Sequence, residues 1–265
     1  MSKDTIGSSP MVTSALIEPE PSVCPRHCVD CHLRQSDGFA PVSASELAFV
    51  EALRNGRVRI KAGGEIIAEQ KPGGKLFTLY AGWAFRYKSL SDGRRQILNF
   101  LLPGDFIGLQ GQFADGATHG VEAVTEVALC VFARDSLRDL FREYPNLGYD
   151  LTWLAAREES LVDENLLTAG RRNATERVAM LLIHLYRRAQ RVGLVQDDSV
   201  AFPLNQQHIA DALGLSLVHT NKTLRRLRKL GLHQIEDGRL RLVNPKALVR
   251  IADYYDRPLR RAPLI

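Results

Sequence analysis

Three cysteines lie within eight residues near the start of the sequence, in the segment CPRHCVDC that begins at Cys24 and includes Cys28 and Cys31. The chain has four cysteines in all, and the remaining one, Cys130, lies far along the sequence. Thiolates bind soft metals, whereas disulfides are rare in a reducing compartment. The spacing therefore indicates a metal site, redox chemistry or plain burial. Burial is the usual state of a single cysteine in an apolar run such as VALCVF.

A second group of candidate binding residues lies in NQQHIADALGLSLVHTNKTLRRLRKLG. The pattern predicts a short helix at 205–213, a Gly-Leu-Ser turn at 214–216, and a second helix at 217–230 whose N-cap is Ser216. A small residue where the two helices would cross and several inward-facing apolar residues complete the pattern of a helix-turn-helix. These residues are Ile209, Ala210, Leu213, Leu217, Leu224 and Leu227.

The second of these helices carries five cations on its outward face and no acidic residue: Lys222, Arg225, Arg226, Arg228 and Lys229. Their mutual repulsion weakens an isolated helix, and a phosphate backbone would relieve it and release counterions. Early side chains of a recognition helix meet base edges. We therefore predict binding to double-stranded DNA, the alternative being a solvated basic face. The predicted DNA-binding residues are Ser216, Val218, His219, Asn221, Lys222, Arg225 and Arg226.

Periodicity predicts the elements that position these residues. SASELAFVEAL, at 43–53, has helical spacing. From 56 to 135, short β-prone runs alternate with turn signals such as AGG, PGG and SDG, which predicts an antiparallel sandwich or barrel. The hairpin around EDGR predicts a wing that contacts phosphate through Arg239 or Arg241.

One longer helical pattern lies between these two regions, and Glu158 occupies a seam position of its partial heptad. The helix is expected either to pack on its own domain or to pair with a second subunit. A charged seam residue would weaken such pairing and make it conditional. The heptad leucines are Leu147, Leu151, Leu154 and Leu161.

The composition of the chain limits the classes of protein to which it can belong. The chain has 265 residues, of which 45% are hydrophobic and 25% charged, as expected for a globular protein of one large or two ordinary domains. It has no run of eighteen apolar residues and no secretory pattern in its first twenty residues, so we expect a cytoplasmic protein without a membrane span. The net charge of +5 permits an acidic partner.

These residues resemble the Crp–Fnr family of bacterial transcription regulators, through the segments LPGDFIGL, RNATERVAMLL and IADALGLS and the long helix. The resemblance implies an α+β fold: an N-terminal antiparallel β-roll of the cyclic-nucleotide-binding type, a dimerisation helix and a C-terminal winged helix-turn-helix. It also implies a homodimer on a two-fold-related DNA site, with RNA polymerase as a further partner. The predicted boundaries are 1–20 for a flexible tail, 21–42 for a cysteine-rich segment, 43–145 for the β-roll sensor domain, 146–170 for the dimerisation helix, 171–255 for the DNA-binding domain and 256–265 for a terminal tail.

Two branches of the family differ in what they sense. The cyclic-AMP branch binds the nucleotide phosphate with a Gly-Glu pair and an arginine. The matching stretch here has Gly104 and Asp105 but no arginine between 96 and 133, so we do not expect cyclic-nucleotide binding. The Fnr branch instead holds an oxygen-sensitive [4Fe–4S] cluster on an N-terminal cysteine group and one distant cysteine.

The cysteines of this chain are similar to those of the Fnr branch, which implies a [4Fe–4S] cluster on Cys24, Cys28, Cys31 and Cys130. The family pattern continues with a further cysteine where this sequence has Asp37. Either Cys24 or Asp37 takes that ligand position, or the site is degenerate. The alternatives are zinc on the first three cysteines with Cys130 or a neighbouring histidine, and no metal at all.

The recognition helix also departs from the Fnr branch. The usual glutamate, serine and arginine correspond to Val218, Asn221 and Lys222, so we expect a related site geometry with different bases.

C-x3-C-x2-C also occurs in radical S-adenosylmethionine enzymes, but Asp30 stands where they have an aromatic residue, and the antiparallel pattern contradicts their fold. We therefore predict a transcription regulator, not an enzyme, that responds to oxygen or redox state. A metal-free regulator that senses a small ligand in the β-roll is the alternative.

Overall fold

A β-rich half comes first in the chain, followed by a long helix and a second, mainly helical half. The computed structural model describes residues 24–71, 74–113, 117–255 and 260–265. The flexible tail predicted at 1–20 lies outside the described residues. Within them, no helix combines the length and apolar character needed to cross a bilayer.

The β-rich half contains two four-stranded antiparallel sheets that share a core, so the predicted antiparallel β-roll is confirmed. Leu79 and Leu129 of one sheet meet Leu101 and Val121 of the other. The strand order is β1-β8-β3-β6 in the first sheet and β2-β7-β4-β5 in the second. The strands are β1 (Arg54–Ile60), β2 (Glu65–Ile67), β3 (Lys75–Ala81), β4 (Ala84–Ser89), β5 (Arg95–Leu101), β6 (Phe106–Ile107), β7 (Gly120–Ala123) and β8 (Val127–Ala133).

One helix, α1 (Ala44–Leu53), precedes the β-roll, and the short α2 (Gln110–Phe113) lies between β6 and β7. Two helices follow the β-roll, α3 (Ser136–Glu143) and α4 (Pro145–Arg171). Helix α4 is one continuous helix, where the sequence predicted 146–170. Its residues Leu147, Leu151 and Leu154 are buried in a core with Leu76 and Phe132 of the β-roll. One face of the long helix therefore packs on the domain that precedes it.

The second half is a helical domain with a small sheet of order β11-β12-β10-β9. Phe85 and Phe100 of the β-roll share a hydrophobic core with Leu182 and Leu240 of this domain. The two halves of the chain are therefore packed against each other. The elements are α5 (Ala174–Arg191), β9 (Val195–Gln196), β10 (Ser199–Ala201), α6 (Gln206–Leu213), α7 (Leu217–Lys229), β11 (His233–Glu236), β12 (Arg239–Leu242) and α8 (Pro245–Ala252).

The cysteine segment and the last described residues lie side by side. Two short 3-10 helices, Cys28–Asp30 and His32–Gln35, are followed by a parallel bridge between Phe39 and Ala262. The sequence predicted a terminal tail at 256–265, of which 256–259 lie outside the described residues. Residues 260–265 instead pack against the protein, because their apolar side chains find a buried position there.

Candidate nucleic-acid interface and cysteine site

Two capped helices joined by a tight turn form the helix-turn-helix. Helix α6 begins after Asn205, whose side chain accepts a hydrogen bond from the backbone N–H of His208 (2.8 Å), and it ends at Gly214 in the left-handed conformation (φ 61°). Helix α7 begins after Ser216, whose hydroxyl oxygen accepts from the N–H of His219 (3.2 Å). Such caps satisfy free N–H groups of the first helical turn. The structure confirms both helices and the N-cap at Ser216.

The buried face of α7 is more polar than the sequence predicted. Thr220 and Thr223 are buried there together with Leu227, and Ala210 of α6 is buried as well. Leu217 is 43% exposed, so its predicted inward position is wrong. It directly follows the exposed turn at the start of α7, where the helix has not yet met the core.

The outward face of α7 forms an open basic groove of about 650 Å³. Val218 is 79% exposed at one end of it. Arg228 is ion-paired with Glu236 of β11 (2.6 Å), whereas the other four cations of this face have no carboxylate partner in the described chain. The groove is lined by Val218, Asn221, Lys222, Arg225, Arg226, Lys229 and Leu230.

The predicted wing is the hairpin β11–β12, which turns through Asp237 and Gly238 with positive φ angles. Its two arginines bind the neighbouring hairpin β9–β10. Arg239 donates from Nε to Ser199 Oγ (2.8 Å), and Arg241 donates from Nη2 to the carbonyl of Asp197 (2.9 Å). Both side chains thus brace the wing, a role that the sequence analysis did not foresee.

Arg177 is a positioning residue that the sequence analysis missed. It lies in the first turn of α5, after a capping box between Asn173 and Glu176. Its guanidinium donates to the carbonyl of Leu213 at the end of α6 (2.9 Å) and to that of Arg172 (2.8 Å). A cation in the first turn opposes the helix dipole. An arginine at this unfavourable position therefore indicates, from the sequence alone, that its side chain binds an acceptor outside the helix.

The helix-turn-helix also rests on strands β4 and β5 of the β-roll. Arg95 Nε donates to the carboxylate of Asp211 on α6 (3.0 Å), and its guanidinium lies 4.9 Å from the ring centroid of Phe85. The same ring lies 5.4 Å from that of His208. These partners are distant in sequence, so no local pattern pointed to the contact.

The structure brings the four cysteines together beside β8. Cys28, Cys31 and Cys130 line one cavity of about 20 Å³. Cys24 is 2% exposed, and its thiol donates a hydrogen bond to the sulfur of Cys130. All four cysteines are free. Segments far apart in sequence therefore meet at one thiol-rich site, which we call the cysteine site.

Burial and hydrogen bonding divide the thiols into two kinds. Burial raises the pKa of Cys28 and Cys31. The hydrogen bond from Cys24, helped by the nearby cation of Arg54, lowers the pKa of Cys130 to about 7, and the same bond raises the pKa of Cys24. Cys130 is therefore the thiol of the site that ionises most readily.

Side chains of α1 and β1 hold the cysteine loop by its backbone. Glu51 Oε2 accepts from the N–H of Cys28 (2.6 Å), and Arg54 Nη1 donates to the carbonyl of Pro25 (3.2 Å). The β-roll thus supports the loop directly.

Asp37 lies apart from the thiols. Its side chain is fully exposed and pairs with Arg261 (3.6 Å). Within the described residues, no group of three or more histidine, cysteine or acidic residues has the arrangement of a metal site. The thiols are soft donors, and the guanidinium groups of Arg34 and Arg54 lie beside them, where they would offset the negative charge of thiolates.

A larger cavity of about 460 Å³ lies between the β-roll and α4. Two ion pairs lie in its wall, Arg86 with Glu158 and Asp105 with Arg157 (3.6 Å), and the carboxylates of Glu159 and Asp163 also line it. Glu158, predicted at a helix seam, therefore faces the β-roll of its own chain. Burial beside Arg86 lowers the pKa of His119, also in this wall, to about 4.

Comparisons with known proteins agree with this architecture. Residues 57–144 match the Cyclic nucleotide-binding domain, and residues 176–251 match the Crp-like helix-turn-helix domain. The nitrogen fixation regulation protein FixK of Bradyrhizobium diazoefficiens is 32% identical over 225 residues, which cover 85% of this chain and 93% of that protein. The chain belongs to the Crp–Fnr family.

Other Crp–Fnr proteins extend the similarity. The transcriptional activator protein FnrL of Cereibacter sphaeroides is 28% identical, over 80% of this chain and 86% of its own length. The solved structure of FixK2 from Bradyrhizobium japonicum is 28% identical with a TM-score of 0.69, and the match covers 76% of this chain and 98% of that one. The chain is thus a DNA-binding transcription regulator and not an enzyme, as predicted.

Proposed function

We propose that this Crp–Fnr regulator responds to oxygen or redox state through an iron–sulfur cluster on its four cysteines. The observation that carries the proposal is the meeting of Cys24, Cys28 and Cys31 with Cys130, which comes from a distant strand. A thiolate-bound cluster supplies a redox-active group whose potential depends on charge, hydrogen bonds and exposure. The residues around the thiols are those that would set these properties.

The surroundings of the thiols suit such a group. The guanidinium groups of Arg34 and Arg54 offset the negative charge of thiolates, and Cys130 ionises most readily. The cavity of about 20 Å³ holds about one water molecule. Residues 24–31 must therefore take a wider arrangement around a bound cluster.

Cys130 connects the cysteine site to α4. It packs against the core that contains Leu147, Leu151 and Leu154 of that helix. A displacement of Cys130 is thus transmitted to α4 through direct side-chain packing. This contact offers a route from the cysteine site to the pairing of two chains.

We infer that the regulator acts as a homodimer through the other face of α4. The family resemblance implies a dimer, and α4 exposes three small or apolar residues and one glutamate at alternating steps of four and three. Val162 is 36% exposed and Leu166 is 70% exposed. This stripe lies beside the leucines that pack on the β-roll, and three of its residues also border the cavity between the β-roll and α4. It consists of Ala155, Glu159, Val162 and Leu166.

A dimer would present two copies of α7 to two half-sites of a DNA duplex, about 34 Å apart. Arg225, Arg226 and Lys229 would bind phosphate, and Val218, Asn221 and Lys222 would face the bases. RNA polymerase is the further partner that we propose from the family resemblance.

Metal and sulfide analysis of anaerobically purified protein tests the cluster. We expect about four iron and four sulfide per chain with the absorption of an iron–sulfur cluster. Cys28→Ala and Cys24→Ala should lose both. Asp37→Ala is the matched control and should keep both, because Asp37 is exposed and pairs with Arg261.

The variants separate the alternatives. Unchanged iron and sulfide in Cys28→Ala would show that this thiol is not a ligand. Loss of iron and sulfide in Asp37→Ala but not in Cys24→Ala would identify Asp37, and not Cys24, as the fourth ligand. Zinc without sulfide would indicate a structural zinc site, although His27 and His32 are hydrogen-bonded to Glu51 (2.9 Å) and Tyr80 (2.7 Å).

The cavity between the β-roll and α4 favours a second candidate function, a metal-free regulator that senses a small ligand. A volume of about 460 Å³ is within the range of small-molecule sites. Protein without iron or zinc that nevertheless binds its operator would support this candidate.

A further inference from the structure

Residues 260–265, which we call the strap, lie along the cysteine segment in register. The N–H of Ala40 donates to the carbonyl of Ala262 (2.8 Å), and the N–H of Ala262 donates to the carbonyl of Gly38 (3.0 Å). Arg34 Nη2 donates to the carbonyl of Leu264 (3.1 Å). Backbone pairing together with a side-chain bond fixes the strap at one position.

The apolar end of the strap is buried over the thiols. Leu264 is 3% exposed and Ile265 is 6% exposed. Both line the cavity that holds Cys28, Cys31 and Cys130. Leu264 also packs in the small core that contains Cys24. The strap thus forms part of the wall that separates the thiols from water.

The charged end of the strap reaches two other parts of the molecule. Arg260 lies 3.6 Å from Asp150 of α4 and 5.6 Å from the ring centroid of Tyr149. Arg261 lies 3.6 Å from Asp37. Exposed pairs of this kind contribute little stability but specify where the segment docks.

We propose that the strap is the cover of the cysteine site. It closes the surface formed by the cysteine segment and β3 and keeps solvent and reagents away from the thiols. This assignment concerns thiol access and does not require a bound cluster. The strap follows the DNA-binding domain in the chain. One covalent connection therefore joins the cover of the cysteine site to the DNA-binding domain.

That connection is short. Helix α8 ends at Ala252, and the strap begins at Arg260. Eight residues span at most about 28 Å when fully extended. A large displacement of the DNA-binding domain from the β-roll would therefore pull the strap from the cysteine site and expose the thiols.

Thiol reactivity of the metal-free, full-length protein under anaerobic conditions tests the proposal. The probe is an aromatic disulfide that releases a coloured thiolate, and the labelled cysteines are identified by peptide mass analysis. Leu264→Asp places a charge in the buried contact and should make modification of Cys28, Cys31 and Cys130 roughly tenfold to a hundredfold faster.

Leu90→Asp is the matched control, because Leu90 is 58% exposed in the turn between β4 and β5. It should react at the parent rate. Equal rates for the parent and Leu264→Asp, with both folded by circular dichroism, would overturn the proposal. Because the protein carries no metal, this outcome is independent of whether a cluster binds.

Amide hydrogen exchange of the unmodified chain covers the case in which Leu264→Asp does not fold. The N–H groups of Ala40 and Ala262 should exchange at least roughly tenfold more slowly than in an unstructured peptide. Exchange of both at the unstructured rate would show that the strap is not docked and would also overturn the proposal.

Discussion

Single residues of α7 differ in what they offer to a nucleic acid. Lys222, Arg225, Arg226 and Lys229 have no carboxylate partner in the described chain, whereas Arg228 is engaged by Glu236. The free cations can therefore neutralise phosphates without first breaking an ion pair. Arg228 would have to leave its partner to do the same.

Arg225→Ala should weaken DNA binding about equally on all sequences and reduce the salt dependence, because one phosphate contact contributes without reading the bases. Asn221→Ala should instead change the preferred sequence, with about 1–3 kcal/mol less discrimination at one base pair. Fluorescence anisotropy on a randomised operator library at several salt concentrations measures both. Arg228→Ala is the control and should have a smaller effect. Uniform loss for both variants would contradict the assignment of Asn221.

His119 predicts a pH dependence of stability. Burial beside Arg86 and Lys88 lowers its pKa in the folded chain to about 4, against about 6.5 when unfolded. Between these values the unfolded chain binds a proton that the folded chain does not, so stability should fall as pH falls through this window. The loss should be at most about 3 kcal/mol.

Urea unfolding from pH 7 to pH 4 measures this dependence. His119→Gln should make it shallower, and His219→Gln, on the exposed face of α7, should leave it unchanged. If the parent and both variants lose the same free energy of unfolding between pH 7 and pH 4, the pH dependence arises from other groups.

Helix α4 presents different faces to different partners. Leu147, Leu151 and Leu154 belong to the core of the β-roll, and Glu158 binds Arg86. These heptad positions are therefore used within the chain, whereas Leu161 is only partly buried. The proposed dimer contact uses Leu166, which is 70% exposed.

Leu166→Glu should dissociate the proposed dimer, because a charge would enter the apolar contact once from each copy. A rise in the dimer dissociation constant of roughly a hundredfold or more corresponds to about 2.7 kcal/mol. Analytical ultracentrifugation measures it. Leu90→Glu, which makes the same exchange in a β-turn, should remain dimeric. A dimer unaffected by Leu166→Glu would place the interface elsewhere.

At the scale of the whole molecule, a buried polar network joins the β-roll to the DNA-binding domain. Arg188 of α5 is 5% exposed and donates to Asp105 (2.5 Å), to Asn99 (2.9 Å) and to the carbonyl of Phe100 (2.7 Å). Arg157 of α4 also lies 3.6 Å from Asp105. The β-roll, α4 and the DNA-binding domain therefore meet at the carboxylate of Asp105.

Arg188→Met should destabilise the chain by about 3 kcal/mol, because it leaves Asp105 buried without its nearest cation. Asp105→Asn in the same chain should recover part of that loss, since the unpaired charge is removed. Urea unfolding of the two single variants and the double variant measures the coupling. Arg142→Met, an exposed arginine of α3, is the control and should cost less than about 0.5 kcal/mol. Strict additivity would show that the two side chains act independently.

The sequence by itself determined the local parts of this protein. Caps such as Ser216, turn residues such as Gly214 and the run of cations on α7 act within a few residues, so their structure follows from short-range hydrogen bonding and helical period. The alternation of β-prone runs and turns likewise predicted the β-roll. The family resemblance added the order of the domains.

Only the tertiary structure decided which distant residues meet. It placed Cys130 beside the cysteine loop, turned Glu158 towards Arg86, left Leu217 exposed and laid the strap over the thiols. Each of these outcomes depends on packing between segments far apart in the chain, where burial of apolar surface and pairing of charges outweigh local preference. Local periodicity does not predict such partners, because it shows which face of a helix or strand is apolar but not which distant segment packs on that face.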